Sequence, residues 1–316
     1  MELLGAQLEQ LCAQGRREIL LVAPFVKANA LRRLLEHIRS DIPVRCVTRW
    51  RPEEIVAGVS DLEVWPLLRD RPLASLALRN DLHAKYYRAD ALCLVGSANL
   101  TDTALGWARQ PNLELLVVLP AEQPELQAFE AKLQSTSIPV DEALYQQMLA
   151  IVELLRLQPE PMPTLIHERP DVVYEIEGDT QEITGALWLP TLRQPADLYL
   201  AYQGRWDELT GGARIAAAND LRALVLPTQL SKPAFNAYIG LLLLQKPLVR
   251  EIDNLLVNSQ RFGAIRDLLA AQRGDSDTDF DASRAWQTLM RWLLYFLPAR
   301  YVRVPARHSE VLRRVH

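Results

Sequence analysis

Cysteine is scarce in this 316-residue sequence. Its three thiols, Cys12, Cys46 and Cys93, lie in apolar segments without metal-ligand spacing. An odd number of buried-looking thiols fits a reducing compartment, and the expected location is the cytoplasm. Long hydrophobic runs are missing as well. No window approaches the roughly 18 apolar residues of a membrane span. The opening MELLGAQLEQLCAQG has neither the basic flank nor the apolar core of a signal peptide. Positive charge is not in excess: the net charge is −4, so any nucleic-acid-binding surface must be local. No internal repeat is evident. Histidine is sparse, and His37, His167, His308 and His316 have no neighbours at ligand spacing, so they read as solvated or packed. The acidic run Asp275–Asp281 begins like a calcium loop. It has Phe280 where the glycine belongs and Trp286 where the closing glutamate belongs, and it reads as a plain acidic loop. What is present is globular composition, 49% hydrophobic and 23% charged, on a chain long enough for one large or two ordinary domains.

Polar chemistry concentrates in residues 81–119, DLHAKYYRADALCLVGSANLTDTALGWARQPNLELLVVL. The alternation in LHAKYY predicts a strand that points His83 and Lys85 to one face. Tyr87 shares that face and reads as a packed tyrosine. A second apolar run, 91–95, ends at Gly96-Ser97-Ala98-Asn99, where small residues allow backbone and hydroxyl to approach an anion. A third, 113–119, predicts a buried strand carrying one charge, Glu114. Lysines are few in this chain, which makes Lys85 in such a setting less a matter of chance. An imidazole, an ammonium, a hydroxyl, an amide and a carboxylate from three consecutive strands suit phosphoryl transfer.

This pattern resembles the HKD motif of the phospholipase D superfamily, H-x-K-x4-D followed by G-S-x-N. His83, Lys85 and Asp90 match the first part, and Gly96, Ser97 and Asn99 the second. Five residues separate Asp90 from Gly96, about one fewer than usual, and Asp90 reads as a structural acid, with Gly96 a structural neighbour of the site. Asn112-Leu113-Glu114 is similar to the nuclease branch, and Ile19–Val22 running into Ala23-Pro24-Phe25 is similar to the family's first strand. The resemblance covers about residues 1–155. It implies that His83 is nucleophile or acid, and that Lys85 and Asn99, assisted by Ser97, hold phosphate oxygens. Glu114 would orient the imidazole through its Nδ1 hydrogen. Lysine and amides supply the electrophilic help, so no metal and no cofactor is expected. One motif supplies one histidine where the reaction uses two, so a homodimer with a shared active site is expected.

Strands alternating with helices predict an α/β fold, a phospholipase D-like mixed sheet flanked by helices, over residues 1–157. Strands are expected at 18–22, 44–48, 62–64 and 76–78, and helices at 2–14, 29–39, 52–59, 124–134 and 141–157. The proline-rich stretch QPEPMPT, 158–164, is the expected linker. A mainly helical domain, 165–316, should follow, with a strand at 172–176 and helices at 195–203, 217–224, 233–244, 247–256, 262–271 and 282–296. Its C-terminal part carries Arg284, Arg291, Arg300, Arg303, Arg307, Arg313 and Arg314, opposed only by Glu310 and interleaved with Trp286, Trp292, Tyr295 and Tyr301. Either these line a nucleic-acid strand, or the aromatics are core and the arginines a solvated face. Arg291, Arg300 and Arg303 are the candidates for nucleic-acid contact there, and Arg49, at the end of the second strand, either lines the substrate groove or caps its strand.

The expected activity is metal-independent phosphodiester hydrolysis of nucleic acid, DNA favoured over RNA. By analogy alone, the arrangement resembles single-motif restriction nucleases and phage-defence proteins, with other defence-system subunits as candidate partners. Two other readings stay open. One is a nucleic-acid-binding or assembly subunit with gated or no turnover; the other is a lipid phosphodiesterase, which would want an apolar anchor.

Overall fold

The computed structural model describes residues 3–157, 188–256, 262–273, 280–304 and 311–315. They fall into two compact units, which divide between residues 157 and 188. The expected linker at 158–164 and the expected strand at 172–176 lie outside the described residues, as do His167, His308, His316, Arg307 and most of the acidic run at 275–281.

The first unit is a seven-stranded mixed sheet. Its strands are β1 (Ile19–Val22), β2 (Val44–Thr48), β3 (Ala74–Leu78), β4 (Lys85–Ala89), β5 (Leu92–Gly96), β6 (Leu116–Pro120) and the short β7 (Ile138–Pro139). They lie in the order β6-β5-β4-β1-β2-β3-β7. β1, β2 and β3 run parallel, and β4, β5, β6 and β7 each pair antiparallel to a neighbour. Among the described residues, six helices flank the sheet: α1 (Leu4–Gln14), α2 (Ala28–Glu36), α3 (Pro52–Val56), α4 (Val64–Arg69), α5 (Pro124–Thr136) and α6 (Glu142–Arg156).

The central strands are apolar on both faces, which demands cover on both. Leu20, Val22, Val47, Tyr86 and Cys93 form one buried layer with Leu133 of α5, and Leu126 and Phe129 of the same helix pack against it. The alternate residues Leu21, Cys46, Tyr87 and Leu94 are also buried, and α1 packs along β4 and β5. Burial pushes the Cys12 and Cys46 thiols up to about 12.

Helix starts follow local chemistry. Proline occupies the first turn of α3 and α5, where its missing N–H is no loss. Asp141 caps α6, its carboxylate accepting from Leu144 N at 2.8 Å. The strand expected at 62–64 does not form: Leu62 and Glu63 are in a turn and Val64 opens α4. Pro66, in the first turn of that helix, suits it to a helix start rather than to a ladder.

The second unit contains α7 (Asp197–Tyr202), α8 (Gly211–Leu224), α9 (Lys232–Gln245), α10 (Pro247–Leu256), α11 (Phe262–Arg273), α12 (Ala282–Phe296) and an antiparallel hairpin, β8 (Tyr301–Val304) with β9 (Val311–Arg314). Trp286, Trp292, Phe235, Ile239 and Leu293 are among its core residues. Trp292 Nε1 donates to Leu192 O at 2.7 Å. The carboxylate of Asp220 accepts from the amides of Thr191 and Leu192 and from Thr191 Oγ1. Burial pushes its carboxyl up to about 6 against those donors. Asp253 of α10 pins the hairpin, accepting from Arg300 Nη2 at 2.5 Å, Tyr301 Oη at 2.6 Å and Arg314 Nη1 at 3.1 Å.

Candidate active site

The antiparallel register decides which side chains meet. Lys85 opens β4 and pairs with Gly96, the last residue of β5, which pairs in turn with Leu116, the first of β6. One row across three strands thus sets Lys85 beside Gly96, Ser97 beyond it, and Glu114 two residues ahead of β6. Because β4 is antiparallel to β1, with Val22 opposite Tyr86, this row lies at the carboxyl end of the parallel strands. That is the edge where open α/β sheets place ligands.

Two expected strands are shorter than their apolar patterns. His83 precedes β4 rather than lying in it, because Leu82 and its neighbours are held in a loop. Lys85 Nζ donates to His83 O at 2.8 Å. Glu114 precedes β6 and is partly exposed rather than buried. Its carboxylate accepts from Ser97 Oγ and, at 3.2 Å, from Asn112 Nδ2. The Ser97 hydroxyl oxygen accepts in turn from Leu115 N at 3.1 Å, and Ser97 N donates to Leu115 O at 3.0 Å. Ser97, expected as a phosphate ligand, therefore directs its hydroxyl hydrogen at Glu114.

Gly96 is dictated by this crossing. A Cβ there would stand 1.9 Å from Leu115 O, closer than any side chain allows. Asn99 is tied to the end of β1: its Oδ1 accepts from Phe25 N at 3.4 Å, and Leu100 forms a parallel bridge to Val26. The amide nitrogen is then the remaining donor of that side chain. Tyr87, fully buried, donates from its hydroxyl to Ala98 O at 2.8 Å and so braces the turn from beneath.

Asp90 is a backbone organiser. Its carboxylate accepts from the amides of Arg16, Arg17 and Glu18, at 2.8, 2.9 and 3.1 Å. Burial opposes ionisation, but these donors outweigh it and hold the carboxyl below its usual range. Ala89 pairs with Leu92, so only Asp90 and Ala91 close the hairpin, and Asp90 takes a φ of 53°. The tight turn accounts for the short spacing between Asp90 and Gly96.

Lys85 is half-buried. Burial lowers its pKa most, the charge of Arg49 lowers it further, and Glu114 pulls it back. Arg49 is 9% exposed and bound to Glu54 and to Leu82 O. That geometry does not suit the groove contact considered for it. Its partner Glu54 and the role of Phe25 were not visible in the sequence; a glutamate five positions along, across a proline-started helix, carries no recognisable spacing.

Arg291, Arg300 and Arg303 belong to the second unit. Arg300 is an ion-pair partner of Asp253, Arg291 is partly buried on α12, and Arg303 is exposed on β8. Trp286, Trp292 and Tyr301 are buried, so these three aromatics are core and not a stacking surface. Among the described residues, no cluster of three His, Cys, Asp or Glu side chains could hold a metal ion, and no helix is long and apolar enough to cross a membrane.

The chain thus forms an α/β unit, a seven-stranded mixed sheet flanked by helices, and a separate mainly helical unit. The chain is similar to NucT from Helicobacter pylori, at 14% identity and a TM-score of 0.36, over 43% of this chain and 89% of that one. It is also similar to Nuc from Salmonella typhimurium, a phospholipase D family member, at 15% identity and a TM-score of 0.33, over 43% of this chain and 90% of that one. No protein-family model and no curated protein matches the chain.

Proposed function

We propose that this protein is a phosphodiesterase, and specifically a nuclease acting on DNA through a phosphohistidine on His83. The carrying observation is the ladder row Lys85–Gly96–Leu116, which gathers His83, Lys85, Ser97, Asn99 and Glu114 at one sheet edge. His83 attacks phosphorus, a P–N bond forms and a P–O bond breaks. A second histidine protonates the departing oxygen, and water then displaces the imidazole. Lys85 and the Asn99 amide neutralise the oxygens in flight. Glu114 is the acid that orients His83, with Ser97 and Asn112 fixing the carboxylate.

The second histidine comes from a second copy of the chain. An apolar sheet edge beside the site supports this: Leu113 and Leu115 are exposed just ahead of β6, and Val117 and Val118 are exposed on that edge strand. Unpaired backbone with apolar side chains on both faces invites a partner. The preference for DNA, a place in phage defence and a recognition role for the second unit follow the motif's likeness to single-motif restriction nucleases.

The test is incubation with single- and double-stranded DNA, RNA and phospholipid vesicles in EDTA at low salt, with His83→Ala alongside. EDTA-resistant cleavage of DNA, lost in the variant, is the expected result. Cleavage abolished by EDTA contradicts the mechanism. Binding without cleavage, retained by His83→Ala, points instead to a binding module.

A further inference from the structure

Arg49 follows β2 directly, and its charge is almost wholly removed from water, a costly placement unless every donor is used. Glu54 of α3 meets it in a fork: Nε reaches Oε2 at 3.1 Å and Nη2 reaches Oε1 at 2.5 Å. The third nitrogen, Nη1, donates to Leu82 O at 3.1 Å. The guanidinium carbon also lies 5.2 Å from the centroid of the Phe25 ring. These contacts touch the site from two directions. Leu82 immediately precedes His83, and Phe25 N is the donor that holds Asn99. Next door, Arg51 Nη2 donates to Asn80 O at 3.0 Å, so the loop leading to His83 is held at two carbonyls.

Packing alone does not call for an ion pair here, since an apolar pair of similar volume is often as stable or more so. What an apolar pair could not do is grip Leu82 O. We propose that Arg49, fixed by Glu54, is a positioning residue of the phosphodiester site: one rigid guanidinium sets the Leu82–His83 backbone and underlies Phe25, aligning His83 with Asn99. This rests on the reading of His83 as the reacting group. A second consequence follows from charge. Beyond burial, the charge of Arg49 disfavours the Lys85 ammonium and that of Glu114 favours it, and His83 O accepts from it. Removing Arg49 removes a repulsion from the Lys85 ammonium.

The experiment compares Arg49→Met/Glu54→Leu, which removes both charges together, with Arg49→Lys, which keeps the charge and loses the fork. Thermal melts establish that each is folded, kcat and KM are measured on DNA, and Lys85 is titrated by NMR of 13C-methylated lysines. The chain has only five lysines, Lys27, Lys85, Lys132, Lys232 and Lys246, so Lys85→Arg identifies the signal. Both variants should lose about 10- to 100-fold in kcat with KM changed by less than about threefold, as for a displaced reacting group. Lys85 should titrate at higher pH in the double variant and near its wild-type pH in Arg49→Lys. A folded variant with wild-type kcat, or a loss confined to KM, overturns the proposal. If the double variant does not fold, Arg49→Lys alone decides the kcat test. Wild-type protein that cleaves no phosphodiester sinks the parent reading, and the Lys85 titration then decides whether Arg49 acts on this site: an unmoved signal overturns it.

Discussion

Asp90 and Gly96 bracket β5, and each is required by the backbone rather than by the chemistry. Asp90 stabilises the lead into β1 most when ionised, because both carboxylate oxygens then accept from its three amide partners. Its carboxyl is depressed in the folded protein, so its contribution is complete above the unfolded value of about 3.9 and is lost as pH falls through the folded value. Melting temperature should therefore fall on acidification below about pH 4 in the wild type, and less steeply in Asp90→Asn, which keeps one acceptor and tolerates the positive φ. Equal slopes in a pH series of thermal melts would show that Asp90 does not carry this dependence. Gly96→Ala drives a methyl into Leu115 O, which belongs to the segment holding Glu114 and Ser97. The expected cost is about 1–3 kcal/mol of stability, read by urea unfolding, together with loss of cleavage. Wild-type stability in that variant would mean that β6 approaches β5 less closely.

At the scale of elements, β6 differs most from its sequence pattern. The run from Leu113 to Leu119 reads as a buried strand because it is apolar, yet only Leu116 of its first residues is buried. Apolarity here records an unpartnered edge, and a sequence cannot tell burial in the monomer from burial against a second copy. Val118→Lys places a charge on that edge, the usual device against edge pairing. Sedimentation at micromolar concentration should show a dimer for wild type and a monomer, without cleavage, for the variant. A variant that remains dimeric would move the interface elsewhere. The helices were far more legible: α9, α10 and α12 lie within a residue or two of the windows set by apolar period and by Pro233, Pro247 and Asp281. The β8–β9 hairpin was not, since its arginines read as a basic surface. What fixes it is Asp253, some fifty residues earlier, and sequence shows no such long-range pair.

At the scale of the molecule, the proposed chemistry lies in the first unit. Seven polar and small positions could be read together as one candidate site because β4, β5 and β6 are sequential and antiparallel, so that sequence neighbours become spatial neighbours. The supports that come from β1, β2 and α3, namely Phe25, Arg49 and Glu54, lie too far away in sequence for that inference. In the proposed reaction, His83 becomes covalently linked to phosphorus during turnover. The most direct measurement quenches a reaction with DNA into alkaline denaturant, where phosphohistidine survives, and maps adducts by peptide mass spectrometry. A phosphoryl-linked nucleotide is expected on the peptide bearing His83, absent in His83→Ala. Efficient cleavage with no adduct at any quench time, or an adduct on another residue, would contradict it.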